Sequence, residues 1–244
     1  MIIAGIDLEG GGLGKEIDVA NDRITEIGLA VWDTTGGLIR TWSCLVWEEG
    51  VPFALPNIQR KTGITEAMLR SHGRTFRFAL QALLAGVRDV DAWMAFNGTG
   101  YDLPMLRAEA KRQEVVLPDI QVIDPLTDVD WPEDITTRAQ NYLAADHGIL
   151  NPFPHRALPD VLTMMQLTSK YDPQQMLTWA KSPTVWLKAV VPFEQKDLAK
   201  DLLYRWNQDE YPKAWTKKVK ELNVAKEQEA ARKAGFTAQA MHRV

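Results

Sequence analysis

Carboxylates stand at three places in the 244-residue chain where their spacing suits chemistry. The first is Asp7-Leu8-Glu9, which closes the apolar run Ile2-Ile3-Ala4-Gly5-Ile6. In a strand, residues i and i+2 share a face, so both acids point the same way. Two like charges held that close repel unless a cation lies between them, and a hard ion such as Mg²⁺ takes oxygen ligands of this kind. The alternative is a pair of exposed acids on an edge strand, although Ile2, Ile3 and Ile6 favour a core strand. The second place is Ala95-Phe96-Asn97-Gly98-Thr99-Gly100-Tyr101-Asp102, a strand running out into a glycine-containing loop with Asp102 opening a helix. Asp102 reads either as a helix N-cap or as a third carboxylate near the sheet end that carries Asp7 and Glu9. The third is His155-Arg156-Ala157-Leu158-Pro159-Asp160. Pro159 suits a first helical turn, and an acid there meets the helix dipole favourably, so Asp160 has a structural reading as well. A histidine after Asn151-Pro152-Phe153-Pro154 has less structural reason to be there. His147, beside Gly148, reads instead as a cation at a helix C-terminus.

The elements that must position these residues can be read in order. Residues 2–9, 24–32 and 38–47 read as strands, the last two joined by the turn Thr34-Thr35-Gly36-Gly37. Helical spacing follows, with Phe76, Leu80, Leu83, Leu84 and Val87 on one face. Short strands at 92–96 and 121–124 alternate with helices at 102–111, 138–147 and 158–170, the 138–147 helix closed by Gly148. Three strands followed by alternating helices and strands predict an α/β fold: a mixed five-stranded sheet flanked by helices. Residues 1–180 form this domain, and residues 181–244 a small basic C-terminal module with a helical tail.

Composition bounds the remainder. A chain of this length buries a core without disulfide or zinc staples. The single Cys44 excludes an internal disulfide and a multi-cysteine zinc site, and its strand context reads as a buried, inert thiol. The N-terminus lacks the pattern of a signal peptide and no apolar run reaches membrane-spanning length, so a cytoplasmic protein without a membrane partner is expected. The net charge of −4 argues weakly against nucleic acid, but it is unevenly spread. Residues 181–244 hold 13 Lys+Arg and 8 Asp+Glu, a net of +5, whereas residues 1–180 carry a net of −9.

The ordered set (acid-x-acid on the first strand, Asn97-x4-Asp102, then His155-x4-Asp160) resembles the DEDDh 3′→5′ exonucleases over roughly residues 2–170. Asp22-Arg23-Ile24-Thr25-Glu26-Ile27-Gly28 is similar to that family's second-strand signature, Thr62-Gly63-Ile64-Thr65 to its Gly-Ile-Thr element, and Ile123-Asp124 to the strand end after the second motif. The resemblance implies an RNase H-like fold and two Mg²⁺ or Mn²⁺ ions held by Asp7, Glu9, Asp102 and Asp160. It makes Asp7 a bridge between the ions and His155 the general base, an imidazole being able to titrate near neutral pH. It implies release of nucleoside 5′-monophosphates from the 3′ end of a single strand, DNA ahead of RNA, with a polymerase or other replication partner also conceivable. One departure is plain: Gly10 and Gly11 stand where the family carries two threonines. Gly10, Leu13, Phe96 and Asn97 are candidate substrate contacts. Leu13 and Phe96 read equally as core or rim hydrophobes, and Asn97 equally as a loop-closing residue.

In the C-terminal module, Lys196, Lys200, Arg205, Lys213, Lys217 and Lys218 interleave with Tyr204, Trp206 and Trp215. That mixture suits single-strand binding. The structural alternative, favoured for the tryptophans, makes Trp206 and Trp215 a mini-core under solvated lysines. Lys220 to Lys233 reads as a solvated helix, and the tail to Val244 equally as disordered chain.

Overall fold

The structure is a computed structural model, and it describes residues 1–11, 18, 22–51, 55–132, 135, 137–208 and 211–241. Leu13 lies outside the described residues. The chain forms two compact units, Met1–Leu177 and Thr178–Val244.

The first unit opens with strands β1 (Ile2–Gly11), β2 (Arg23–Asp33) and β3 (Gly37–Leu45). Helices α1 (Leu55–Thr62), α2 (Glu66–His72) and α3 (Phe76–Gly86) follow, then β4 (Ala92–Met94), α4 (Asp102–Arg112) and β5 (Val122–Ile123). The unit continues through α5 (Pro125–Asp128), α6 (Gln140–Asp146) and α7 (Ala157–Thr168) to α8 (Pro173–Lys181), within which the division falls. The five strands lie in the order β3-β2-β1-β4-β5. β1 pairs with β2, and β2 with β3, antiparallel; β1 with β4, and β4 with β5, are parallel. This is the mixed, helix-flanked sheet that the sequence predicts.

Alternation divides the sheet cleanly. Ala4, Ile6 and Leu8 of β1 and Ile27, Leu29 and Val31 of β2 face a core shared with Phe76, Leu80 and Leu83 of α3 and Leu103 and Leu106 of α4. The opposite face carries Gly5, Asp7 and Glu9 on β1 and Glu26, Gly28 and Ala30 as their cross-strand partners on β2. Helix α7 packs on that second face, against β1 and β2. The two helices between Trp47 and Phe76 escape sequence reading because each is only two turns long. The second is set by Thr65, whose hydroxyl accepts from Met68 N at 3.2 Å as an N-cap. Cys44 is half-buried rather than buried; its thiol donates to Leu45 O, and burial raises its pKa, so it stays protonated.

The second unit holds β6 (Thr184–Val190), α9 (Lys196–Asp201), β7 (Arg205–Gln208), β8 (Tyr211–Lys220), α10 (Val224–Lys233) and β9 (Thr237–Met241). Its strands form one sheet in the order β7-β8-β6-β9. Two expectations are corrected here. From Lys220 to Met241 the tail is neither merely a solvated helix nor disordered: Ala231 of α10 and Phe236 are buried, and β9 pairs with β6 from Trp186↔Met241 to Val190↔Thr237. The small residues of Thr-Ala-Gln-Ala-Met give β9 little strand propensity, so only tertiary pairing fixes it. The mini-core is also not the tryptophan pair. It is Leu187, Ala189, Ala199, Tyr204, Val219, Ala231, Phe236 and Ala238, with Tyr204 and Phe236 in edge contact at 5.6 Å. Trp215 packs on its margin, and Trp206 is 48% exposed.

Candidate active site

The site lies at the carboxyl ends of β1 and β4, where parallel strands leave a crevice. β4 pairs with β1 only at Ile3, Ala4 and Gly5, so β1 runs on past its neighbour. The edge N–H of Leu8 would be left without a strand partner; it donates to Asp102 Oδ1 at 2.8 Å instead. Asp102 is therefore not the N-cap of α4. Tyr101 holds that position, and the Asp102 side chain, 4% exposed, reaches across to the strand between Asp7 and Glu9.

Asp124 fixes the loop that delivers Asp102. Its carboxylate accepts from Asn97 N at 2.8 Å, from Thr99 N and Oγ1 at 3.3 and 2.8 Å, and from Leu126 N at 3.1 Å. These bonds hold Asn97 at φ 56°. Asn97 is exposed and Phe96 half-buried at the exit of β4.

The third segment is pinned to the sheet by Glu26. This buried carboxylate forms a two-pronged pair with Arg156, at 2.8 and 2.9 Å, and accepts from Ala157 N at 3.0 Å. The start of α7 has no side-chain cap of its own, so Glu26 satisfies an N–H that the first helical turn would leave orphaned. Gly28 completes the seat: a Cβ there would lie 2.4 Å from the carbonyl carbon of Ala157. The helix thus begins directly over β2, and Asp160 falls on the face that carries Asp7 and Glu9. Both Asp160 oxygens are oriented, Oδ2 by His155 N at 2.9 Å and Oδ1 by Asn151 Nδ2 at 2.5 Å. Gln140 Nε2 holds the Asp160 carbonyl at 2.8 Å. His155 sits at φ 63°.

Glu9, His155 and Asp160 each offer a ligand atom, all within 4.8 Å of one another. Asp7 lies in register with Gly28, on the same face as Glu9, and its Oδ2 is buried without a hydrogen-bond partner. Such a group costs free energy unless something else satisfies it. The electrostatics agree. Burial and then the charges of Asp102, Glu9 and Asp160 push the Asp7 carboxyl well above its usual range. Burial raises Glu9 to about 8 and Asp102 to about 7, and also lifts Asp160. A phenol, Tyr101, is pushed up by burial and by Asp102, Glu9, Asp22 and Asp7, and so stays protonated beside the acids. Buried acids that resist ionising are the signature of a site short of positive charge. An oxygen-rich set with one imidazole fits a hard divalent ion.

Gly10 has a structural account that its spacing alone did not supply. β1 is bulged between Glu9 and Gly10, and a Cβ at Gly10 would lie 2.2 Å from Arg23 O. Sequence reasoning assigned no role to Glu26, Arg156, Asp124 or Asn151, which hold the acids and the histidine. It also passed over Lys61 of α1, whose charge lowers the carboxyls of Asp7, Glu9, Asp102 and Asp160 alike. Glu26 and Arg156 are 130 residues apart, so nothing local links them. His147 is structural, bonded to Leu143 O at 2.7 Å and Tyr171 Oη at 2.6 Å, with Trp131 edge-on.

The chain has the fold of the DEDDh exonucleases. No family model matches it, and no curated protein sequence matches it. Among solved structures it is similar to Escherichia coli exonuclease I in a zinc-bound complex with single-stranded DNA, with a TM-score of 0.67 and 15% identity, covering 97% of this chain and 68% of that one. It is similar to the nuclease domain of 3′hExo, a DEDDh family member bound to rAMP, with a TM-score of 0.57 and 15% identity, covering 69% of this chain and 90% of that one. It is also similar to Schizosaccharomyces pombe Pop2p in a Mg²⁺- and Mn²⁺-bound form, with a TM-score of 0.53 and 18% identity, covering 69% and 81%. At these identities the likeness is one of fold. Among the described residues no helix is long and apolar enough to cross a membrane.

Proposed function

We propose that this protein is a metal-dependent 3′→5′ exonuclease acting on single-stranded nucleic acid, DNA ahead of RNA. The observation that carries the reading is the convergence of Asp7, Glu9, Asp102 and Asp160 from three distant segments, with Asp7 Oδ2 unpartnered, all four carboxyls lifted by burial, and those of Asp7 and Glu9 lifted further by the neighbouring acids. Solved structures of this fold bound to Mg²⁺ and Mn²⁺ and to single-stranded DNA support it.

Asp7, Glu9, Asp102 and Asp160 would hold the two divalent ions. Ions so held lower the pKa of a bound water and offset charge on a phosphodiester. Asp160 keeps both oxygens turned into the site through Asn151 and His155 N. His155, beside Glu9 and Asp160, would accept on a ring nitrogen the proton of the water that attacks phosphorus, while the bond from phosphorus to the 3′ oxygen of the preceding nucleotide breaks and that oxygen leaves as a hydroxyl with a proton from solvent. Asn97 and Phe96, at the mouth of β4, would contact the sugar-phosphate and the terminal base, and Gly10 remains a proposed substrate contact. Leu13 remains a proposed base contact.

The test is incubation of purified protein with 5′-labelled single-stranded DNA and matched RNA, in Mg²⁺, in Mn²⁺ and in chelator, beside Asp7→Ala. A ladder shortening from the 3′ end, dependent on metal and lost in Asp7→Ala, is expected, with DNA the faster substrate. Intact strands under every metal would sink the reading.

A further inference from the structure

The loop that delivers His155 carries an apolar rim that the carboxylate site does not use. From His147 to His155 the chain holds no aspartate, glutamate, lysine or arginine. Leu150, Pro152, Phe153 and Pro154 stand exposed along it, Leu150 at 86% and Phe153 at 65%. Apolar side chains scattered singly over a surface are ordinary. Here four of five consecutive residues are apolar and exposed, and they border a crevice of acids.

The rim is also firmly tied. Asn151 Nδ2 donates to Asp160 Oδ1 at 2.5 Å and His155 N to Asp160 Oδ2 at 2.9 Å, so one carboxylate holds both feet of the segment 151–155. Phe153 is the midpoint of that segment, and its N–H donates to Asn151 Oδ1 at 3.0 Å. Pro152 and Pro154 fix φ on either side of it. The backbone of Phe153 therefore has little freedom left to lose when its ring meets a partner. Two residues span at most about 7 Å, which sets the reach from Phe153 to His155.

We infer that Phe153 is a stacking platform for one base of the strand whose phosphate enters the carboxylate crevice. The chemistry divides a nucleotide between the two surfaces. Asp7, Glu9, Asp102 and Asp160 admit a phosphate only through cations. An uncharged rim offers a phosphate nothing, whereas an exposed aromatic plane offers any base a face to stack on. The tie through Asn151 makes a base on Phe153 bear on the same segment that orients Asp160 and His155. The inference rests on the proposed exonuclease reading, to which it adds a base contact separate from Phe96 and Leu13.

The experiment is equilibrium binding of the full chain to fluorescent oligothymidylates, either complete or with one abasic residue placed in turn at each position near the 3′ end. It is run in Ca²⁺, which fills oxygen sites with looser geometry than Mg²⁺. Phe153→Ala should weaken binding of the complete strand about 10-fold. Phe153→Trp should restore it, and Phe153→Leu should not. At one position the abasic residue should cost the parent the same factor and cost Phe153→Ala almost nothing, because removing ring and base together loses a single contact. Melting temperature, and Mn²⁺ affinity by calorimetry, should stay at the parent's values in each variant, since the ring is exposed and the bonds to Asp160 come from Asn151 and His155 N. A folded Phe153→Ala protein that binds like the parent would overturn the inference, as would a parent that binds no strand. A loss that no abasic position absorbs, or full rescue by Phe153→Leu, would also overturn it and leave the rim to a protein partner. Hydrolysis is scored separately on the parent. Cleavage with binding indifferent to Phe153 sinks only this inference, and Phe153-dependent binding without cleavage sinks only the catalytic reading.

Discussion

Glu9→Gln should stabilise the metal-free protein while destroying its response to metal. Glu9 is buried, and its carboxyl is raised from 4.5 to about 8. The folded protein therefore keeps this proton at pH values where the unfolded chain has lost it. By linkage, the stability contributed by this group is complete below pH 4.5 and is lost as pH rises toward about 8. At about 1.4 kcal/mol per pH unit, the deficit from Glu9 is on the order of 1 kcal/mol at pH 5.5 and 4 kcal/mol at pH 7.5. For a chain of this size each kcal/mol moves the melting temperature by roughly 2–4 °C, so the parent in chelator should melt roughly 5–10 °C lower at pH 7.5 than at pH 5.5 from this residue alone. Asp7, Asp102 and Asp160 are raised too and act in the same direction. The amide cannot ionise, so the variant should melt several degrees above the parent at pH 7.5 and close to it at pH 5.5. Mn²⁺ should raise the parent strongly at pH 7.5 and the variant little. Differential scanning fluorimetry in chelator and in Mn²⁺ at both pH values reads all of this. A variant no more stable than the parent at pH 7.5 would refute the reasoning.

Other perturbations test the supports of the site. Gly28→Ala should push the start of α7 off β2, costing about 1–3 kcal/mol in chemical denaturation and weakening Mn²⁺ binding by calorimetry, because Asp160 and His155 move with the helix. Arg156→Met should cost about 3–5 kcal/mol by leaving Glu26 buried and unpaired, whereas Glu26→Gln with Arg156→Met should recover part of that in a double-mutant cycle. Asp124→Ala strips three hydrogen bonds from the loop before Asp102, and the N-cap of α5, and should lower both the melting temperature and the metal affinity; an unchanged metal affinity would show that the loop does not position Asp102.

The acids of this site were legible because their spacing has few readings: a strand puts Asp7 and Glu9 on one face, and an Asp after a strand and loop falls at a sheet's end. The five-stranded sheet was legible from alternation and glycine punctuation for the same reason. What holds the site was not. The Glu26–Arg156 pair and the Asp124 bonds to Asn97 and Thr99 join segments 130 and about 25 residues apart, and each residue alone looks like an ordinary polar group. For Asp102 the sequence left two readings open, since an acid at a helix start also has a cheap local explanation, and it is the free edge of β1 at Leu8 that draws its side chain away from the cap. In the second unit the propensities of Trp206 and Trp215 suggested a core, but strand register leaves Trp206 near the sheet's edge and gives the interior to Tyr204 and Phe236.

His155 occupies the left-handed region at φ 63°, a backbone state that favours glycine and costs other residues on the order of 1 kcal/mol. Replacing it with glycine would relax the chain there, as replacing the ionisable carboxyl of Glu9 by an amide would stabilise the crevice beside it. The same few residues are thus both the proposed machinery and the thermodynamic weak point of the first unit. Selection for heat tolerance alone, run on a library of this protein without regard to activity, should accumulate its gains at these positions and deliver a sturdier molecule with its catalytic groups edited away.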